Sequence, residues 1–416
     1  MQSKDKLCSI SIIFLILSFL IITSFSNSND TKYQTATSRA IYLESYGNII
    51  NNQSQNNNET MDSNKNINEN LSQTFTLTIT INGKGTTTPT AGKLTYPPGT
   101  IVTLTAHPNL NWTFDNWYGT SNNPAITTIV TMDSNKSVIA FFSAPFKVYG
   151  LNFSPYTLPG QNPNQKTVIS QQQITNLLMT IKPYTNWIRT YACDSNSELV
   201  GRVAHELNIK VAAEAWIGPD DNNNKEQLNA LIKVAKAGQA DLLIVGSEAL
   251  FRGDVNASQL VNYIISVKNI VPFLPITTDD VYQELLSNPS VMDACNVIMT
   301  NIYPFCAGLN INNAIYDLNL NYLQLVSAAK AKPVIIGETG WPSDGSATND
   351  AVPSLENAVL YFKNFVSWAK ANNVNYFYFE AFSEPWKTNE GTVGSNWGIW
   401  DSNGTLKTGM TSVFNK

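Results

Sequence analysis

Histidine is almost missing from this 416-residue chain: His107 and His205 are the only two. Cysteine is nearly as scarce, with Cys8, Cys193, Cys295 and Cys306 and no CxxC pair among them. So few, so widely spaced, they make neither a disulfide framework nor a Cys/His zinc site. The same scarcity argues against a Ser-His-Asp or Cys-His nucleophile system, and both histidines read as structural or surface residues. Charge is sparse too, at 14% with a net charge of −5 and no basic stripe, which argues against nucleic acid as a partner. No metal or organic cofactor is called for.

What the chain does have is length and apolar content. It exceeds one ordinary domain, although an α/β barrel alone takes ~250 residues. A hydrophobic fraction of 43% is ample for a core. Low charge with abundant Asn, Thr, Ser and Tyr suits an extracellular surface that meets neutral polymers. A monomer is the default expectation.

Residues 1–26 open with Lys4 and Lys6, then run apolar from Leu7 to Thr23. That is a signal peptide or an uncleaved membrane anchor; export follows from either, cleavage from neither. Residues 27–73 read as an Asn-rich disordered linker. Between Asn48 and Asn70, 10 of 23 residues are Asn, too little apolar surface to offset the entropy of ordering. Asn-x-Ser/Thr sequons occur at Asn52, Asn58, Asn70, Asn111, Asn256 and Asn403.

From residue 74 to 144 the pattern alternates with period two: FTLTITING, KLTYPPGTIVTLTAHP, TTIVTM and SVIAFF, with Gly and Pro turns between. This predicts a small antiparallel β domain. The stretch Tyr96–Gly119, with TTIVTMDSNKSVIAFF after it, resembles the repeated β modules of bacterial cell-surface proteins, which implies a spacer or adhesive role without chemistry. Trp112, Trp117 and Tyr118 are candidates for a sugar-stacking face or for the module's core.

Past residue 145 short apolar runs alternate with amphipathic stretches to the end at 416. The runs are KVYGLNFS, NWIRTYAC, IKVAAEAW, DLLIVGSE, VPFLPIT, NVIMTNIYPF, KPVIIGET and NYFYFEAF. Eight strands with helical crossovers predict an α/β fold, a (β/α)8 barrel. A doubly wound open sheet is the alternative, but no glycine-rich first turn comes after LNFS.

The chemistry of a barrel sits at the carboxyl ends of its strands. The seventh run, Pro333 to Ser343, passes from Val334, Ile335 and Ile336 through Gly337 to Glu338, then Trp341. A buried strand ending on a carboxylate is unusual for packing alone. The fourth run ends VGSEAL and places Glu248 the same way. Two carboxylates facing one open mouth are the minimum equipment for cleaving a glycosidic bond. Trp216, Trp341, Trp386, Trp397 and Trp400 cluster near strand ends, where indole can stack on the C–H face of a sugar; Trp341 and Trp386 are the candidates for such platforms. Asn152, Asn301 and Glu384 are candidate partners for sugar hydroxyls. Trp368 lies on a helix face and reads as core.

VGSEALFRGD (Val245–Asp254), TNIYPF (Thr300–Phe305), GETGWPS (Gly337–Ser343) and FEAFSEPWK (Phe379–Lys387) followed by GSNWGIWDSNG stand in this order. Together they resemble glycoside hydrolase family 17, the β-1,3-glucanase and glucanosyltransferase family, along nearly all of residues 146–410. The resemblance implies Glu248 as general acid/base and Glu338 as nucleophile of a retaining mechanism, with β-glucan polysaccharide or oligosaccharide as the partner. It implies that Tyr303 hydrogen-bonds the nucleophile and that Glu384 and Lys387 order the site. Arg189 and Tyr191 are candidates to support the nucleophile electrostatically, and Glu380 to lie on the same rim; a structural buried pair competes for each of these. One departure stands out: Ser247 precedes the acid/base where most barrels of the clan carry Asn, so its contact to the sugar 2-hydroxyl reaches less far. Two readings of another kind stay open: a glucan-binding or adhesive wall protein whose barrel only holds polymer, and a clan relative acting on a different β-linked polymer.

Overall fold

The computed structural model describes residues 73–109 and 112–414. The leader, the linker up to residue 72, Cys8 and the sequons at Asn52, Asn58, Asn70 and Asn111 lie outside the described residues.

Seven strands precede the barrel. One sheet has the order β3 (Gly92–Tyr96), β1 (Phe75–Asn82), β7 (Lys136–Ser143), β5 (Thr113–Gly119); the other is β2 (Gly85–Thr88), β4 (Ile101–Pro108), β6 (Thr127–Thr131). Pairing is antiparallel throughout except between β1 and β7, which run parallel. Period-two patterning sets the faces, since successive side chains of a strand point to opposite sides. On β4, Val102, Leu104 and Ala106 are buried while Ile101 and Thr103 are exposed. Trp117 is fully buried and Trp112 packs against the same core, whereas Tyr118 stays exposed. Two of the three aromatics therefore serve the module's interior.

Eight strands then close on themselves. In chain order they are β8 (Val148–Asn152), β9 (Thr185–Arg189), β10 (Lys210–Ala215), β11 (Leu242–Ser247), β12 (Ile276–Val281), β13 (Ile298–Asn301), β14 (Val334–Thr339) and β15 (Asn375–Tyr378). Each pairs in parallel with the next, and β15 pairs back to β8. The open-sheet alternative is thereby ruled out. Helices α1 (Gln171–Ile181), α2 (Glu198–Glu206), α3 (Asp221–Lys236), α4 (Ala257–Ile270), α5 (Tyr282–Ser287), α6 (Pro289–Ala294), α7 (Ala314–Ala328) and α8 (Leu355–Ala371) form the crossovers, and α9 (Thr411–Phe414) comes after the last strand.

Helix starts follow local chemistry. Side-chain oxygens of Ser170, Asp220, Asn256 and Ser354 accept from backbone N–H groups that the first turn leaves unpaired. Asn256, one of the sequon asparagines, completes a capping box with Gln259.

The strands alternate between two apolar layers. Ala212, Leu242, Ile244, Met299, Ile335 and Phe377 fill the barrel's interior, while their neighbours Val211, Ala213, Leu243, Ile298, Val334 and Ile336 pack in the main hydrophobic core, which includes helix residues. Toward the carboxyl ends the apolar interior gives way to Arg189, Glu214, Asp279 and Asn301, all buried. That transition is where the site begins.

Candidate active site

Strict alternation would turn Glu338 away from the mouth, because Ile335 faces inward and Ile336 outward. The register of β14 slips against both neighbours, between Ile336 and Thr339 on one side and opposite Thr300 and Asn301 on the other. Such an irregularity re-aims side chains, and Glu338 lines the cleft. Gly337 allows this: a Cβ there would collide with the Asp279 carboxyl.

Glu338 is held at both oxygens. Tyr303 Oη donates to Oε2 at 2.8 Å, and Arg189 Nη1 lies 3.0 Å from Oε1. Arg189 is itself fully buried, with Nη1 2.7 Å from Asp279 Oδ2 and Nη2 2.8 Å from Glu214 Oε2. It also donates to the Gly337 carbonyl at 3.0 Å and to Ser247 Oγ at 2.9 Å. Burial works against the guanidinium's charge, but Asp279, Glu214 and Glu338 outweigh it and raise its pKa. Three carboxyls thus share one cation. Burial lifts Glu214 to about 7 and pushes Asp279 well above the carboxylate range, Arg189 opposing in both cases. Tyr191 stacks its ring on Arg189 at 5.1 Å; its buried hydroxyl has no hydrogen-bond partner among the described residues.

Glu248 sits one residue past β11, on a sharp turn. Gly246 has φ +78° and Glu248 itself +51°, a left-handed conformation that costs a residue with a Cβ about 1–3 kcal/mol and persists only where its surroundings enforce it. Asn301 Nδ2 donates to Glu248 Oε1 at 2.9 Å, and the Glu248 amide donates to the Asp279 carbonyl at 2.7 Å. Beside it, Asp280 accepts from the amides of Leu250 and Val281.

On the far side of the mouth, Lys387 bridges Glu380 at 2.7 Å and Glu384 at 2.5 Å. Ser154 donates a short hydrogen bond to Glu384, and Trp386 Nε1 donates to the same oxygen at 2.8 Å. The two acids diverge. Burial raises Glu380 despite Lys387, whereas in Glu384 the charge of Lys387 and its hydrogen bonds overcome burial and lower the pKa. Of the two acids, Glu384 is therefore the one that ionises more readily.

These groups open on a cleft of about 670 Å³ with aromatic walls of Tyr156, Tyr191, Trp216, Tyr303, Trp386 and Trp397. Four sequence expectations are corrected by the side-chain positions. Trp341 is no sugar platform: it is 1% exposed, packs against Phe305 and Tyr361, and donates to the Val352 carbonyl. Asn301 is buried behind Glu248 and holds that carboxyl instead of meeting substrate directly. Glu380 lies beneath the rim, its charge partner being Lys387. Asn152 is fully buried and donates to the carbonyls of Gly337 and Phe377. Ser247, Glu384 and Trp386 do line the cleft, with the Ser247 hydroxyl already engaged by Arg189. Trp400 is core, packed with Tyr184, Phe382 and Phe414. Trp368 is half-buried between Tyr322 and Phe365.

Sequence reasoning missed Glu214, Asp279, Asp280 and Arg252. Glu214 carried the same signal as Glu338, a carboxylate inside an apolar strand. Burial raises Asp280 to about 8, which has a thermodynamic consequence. A carboxyl with a higher pKa folded than unfolded gives stability that is complete below its unfolded value near 4 and is lost as pH rises through the folded value. Stability is therefore expected to fall between pH 5 and pH 8, by at most about 1.4 kcal/mol per pH unit for each such proton. Asp280→Asn should flatten that slope in thermal melts taken across the range. An unchanged slope would mean that Asp280 is not its source.

A closed parallel barrel with two carboxyls at strand ends inside an aromatic cleft defines a glycoside hydrolase. The chain belongs to the family described as the BtgE/BtgC glycoside hydrolase domain, whose model matches residues 150–398. Residues 75–145 match the divergent InlB B-repeat domain. A glucan 1,3-beta-glucosidase of Candida albicans, BGL2, is 30% identical over 263 residues, covering 56% of this chain and 85% of the relative. A glucan 1,3-beta-glucosidase of Saccharomyces cerevisiae is 29% identical over 316 residues, covering 69% and 98%. Among solved structures, a glycoside hydrolase family 17 beta-1,3-glucanosyltransferase from Rhizomucor miehei is 32% identical with a TM-score of 0.57, covering 63% of this chain and 96% of that one.

Proposed function

We propose that this protein is a retaining glycoside hydrolase acting on β-1,3-glucan, with Glu338 as nucleophile and Glu248 as general acid/base. The observation that carries the reading is the grip on each carboxyl. Tyr303 and Arg189 aim Glu338 from two sides, and Asn301 aims Glu248 across the same cleft. Glu248 protonates the leaving glycosidic oxygen while Glu338 attacks the anomeric carbon, giving a covalent glycosyl-enzyme. Glu248, now a carboxylate, takes the proton of the incoming hydroxyl and the ester bond breaks with net retention. When the incoming group is water the outcome is hydrolysis; when it is a sugar hydroxyl, transglycosylation.

The relatives support the linkage, being named glucan 1,3-beta-glucosidases. An active-site mutant of the Rhizomucor miehei enzyme was solved with laminaritriose, which points to laminari-oligosaccharides as the substrate class. We assign residues 74–144 as a separate β module, 145–416 as the catalytic barrel, and the hydrophobic leader to export and surface tethering or secretion. The module's likeness to a B-repeat favours a second reading, in which the chain only holds glucan at a surface.

A product time course on laminari-oligosaccharides separates these, with proton NMR of the first-formed anomer. Shorter β-anomeric products mean a retaining hydrolase, and products longer than the input mean transfer. First-formed α-anomers would overturn the retaining mechanism. Binding without turnover would move the adhesive reading ahead.

A further inference from the structure

Arg252 lines the cleft four residues beyond Glu248. Each of its three side-chain nitrogens has an acceptor. Nε donates to Asp254 Oδ2 at 2.7 Å, Nη2 to the Ile217 carbonyl at 2.7 Å, and Nη1 makes a short hydrogen bond to the Ser247 carbonyl. The guanidinium carbon lies 4.3 Å from the centre of the Trp216 ring. The Arg252 amide, in turn, donates to the Glu248 carbonyl at 2.9 Å.

The Ser247 carbonyl belongs to the peptide bond that enters Glu248, and Glu248 holds a left-handed φ of +51°. A conformation so sparsely populated needs its flanking peptides fixed. Only a planar fork can bind two carbonyls and a carboxylate at once while stacking on an indole. We propose that Arg252 is a second positioning residue for the general acid/base: it locks the peptide before Glu248 and so, together with the Asn301 contact at Oε1, aims the carboxyl at the glycosidic oxygen. Arg252 touches neither reacting bond and acts only through Glu248. The inference rests on the role proposed above for Glu248.

The test compares two substrates. Laminari-oligosaccharides have a poor leaving group and need the proton of Glu248, whereas a dinitrophenyl β-laminaribioside leaves without one. For both, kcat/KM reports formation of the glycosyl-enzyme. Arg252→Met is expected to lose about 10²-fold on the oligosaccharide, within the range a general acid contributes, and less than about fivefold on the aryl glycoside. Retained attack on the aryl glycoside also certifies that the variant is folded. Arg252→Lys, which keeps the charge but not the fork, should show the same split at smaller size and serves if the methionine variant fails to fold. Equal losses on both substrates, or no loss on either, would overturn the proposal. Glu248→Gln is run alongside: if it lacks the split, the acid/base assignment falls first and this inference with it.

Discussion

Glu338→Gln should lower kcat on laminari-oligosaccharides by at least about a thousandfold while the protein stays folded and still binds glucan. The amide is nearly isosteric, so Tyr303 can still find an oxygen acceptor, and the change removes one of three carboxyls crowded around Arg189. Stability is therefore expected to hold or rise. What disappears is the proposed nucleophile, and the loss of a group acting in a concerted set is of this order or larger. The aryl glycoside should fare no better, because a good leaving group does not replace the attacking carboxylate. That distinguishes Glu338 from Glu248, whose glutamine variant should spare kcat/KM on the aryl substrate, the step that forms the glycosyl-enzyme, while still slowing its breakdown. Isothermal titration with laminari-oligosaccharides supplies the binding control. Turnover within tenfold of wild type would sink the nucleophile assignment, and loss of binding together with turnover would say that the variant reports on recognition instead.

Much of this site was legible because two signals are written in one dimension. A carboxylate at the end of a β-branched run is conspicuous wherever it occurs, and Glu248 and Glu338 both stand there. Eight apolar runs with amphipathic stretches between them predict the barrel. Other features are set by backbone geometry that no periodicity records. Trp341 stands three residues past Glu338 and looked like a platform, yet it turns into the core against Phe305 and Tyr361. The slip in register that swings Glu338 into the mouth is equally invisible in sequence. The fifth strand shows a third limit. Its apolar run reads as ending at Thr277, but β12 continues through Asp279 and Asp280 to Val281, and both acids went unnoticed at its end. A strand of Thr and Asp looks like a loop until Arg189 and the turn after β11 are seen to need those carboxyls. Helices α2, α5 and α6 carry little signal of their own, since at nine and six residues they offer too few turns for a period to stand out.

Arg189→Met is expected to be the most destabilising single change in the site, and its cost should depend on pH. The guanidinium is fully buried among Glu214, Asp279 and Glu338. Removing the one cation leaves carboxyls that must either stay charged in an apolar surround or take up protons. Breaking a buried ion pair from one side costs about 3–5 kcal/mol. Proton uptake limits that cost, and it is easiest in acid. Glu214, already lifted to about 7 by burial, would rise further without Arg189, so at pH 5 it binds its proton readily and at pH 8 only against the solvent. The loss measured by urea unfolding should therefore approach the upper figure at pH 8 and shrink toward pH 5. Adding Asp279→Asn to Arg189→Met should recover part of the stability, because a neutral side chain no longer calls for a counterion. It should recover no activity, since Glu338 still lacks the contact at Oε1 that aims it. Arg189→Lys is expected to fail as well, a single ammonium being unable to reach Glu214, Asp279, Glu338 and the Gly337 carbonyl together. A loss below about 1 kcal/mol, or one equal at both pH values, would mean that the three carboxyls do not depend on this cation for their charge.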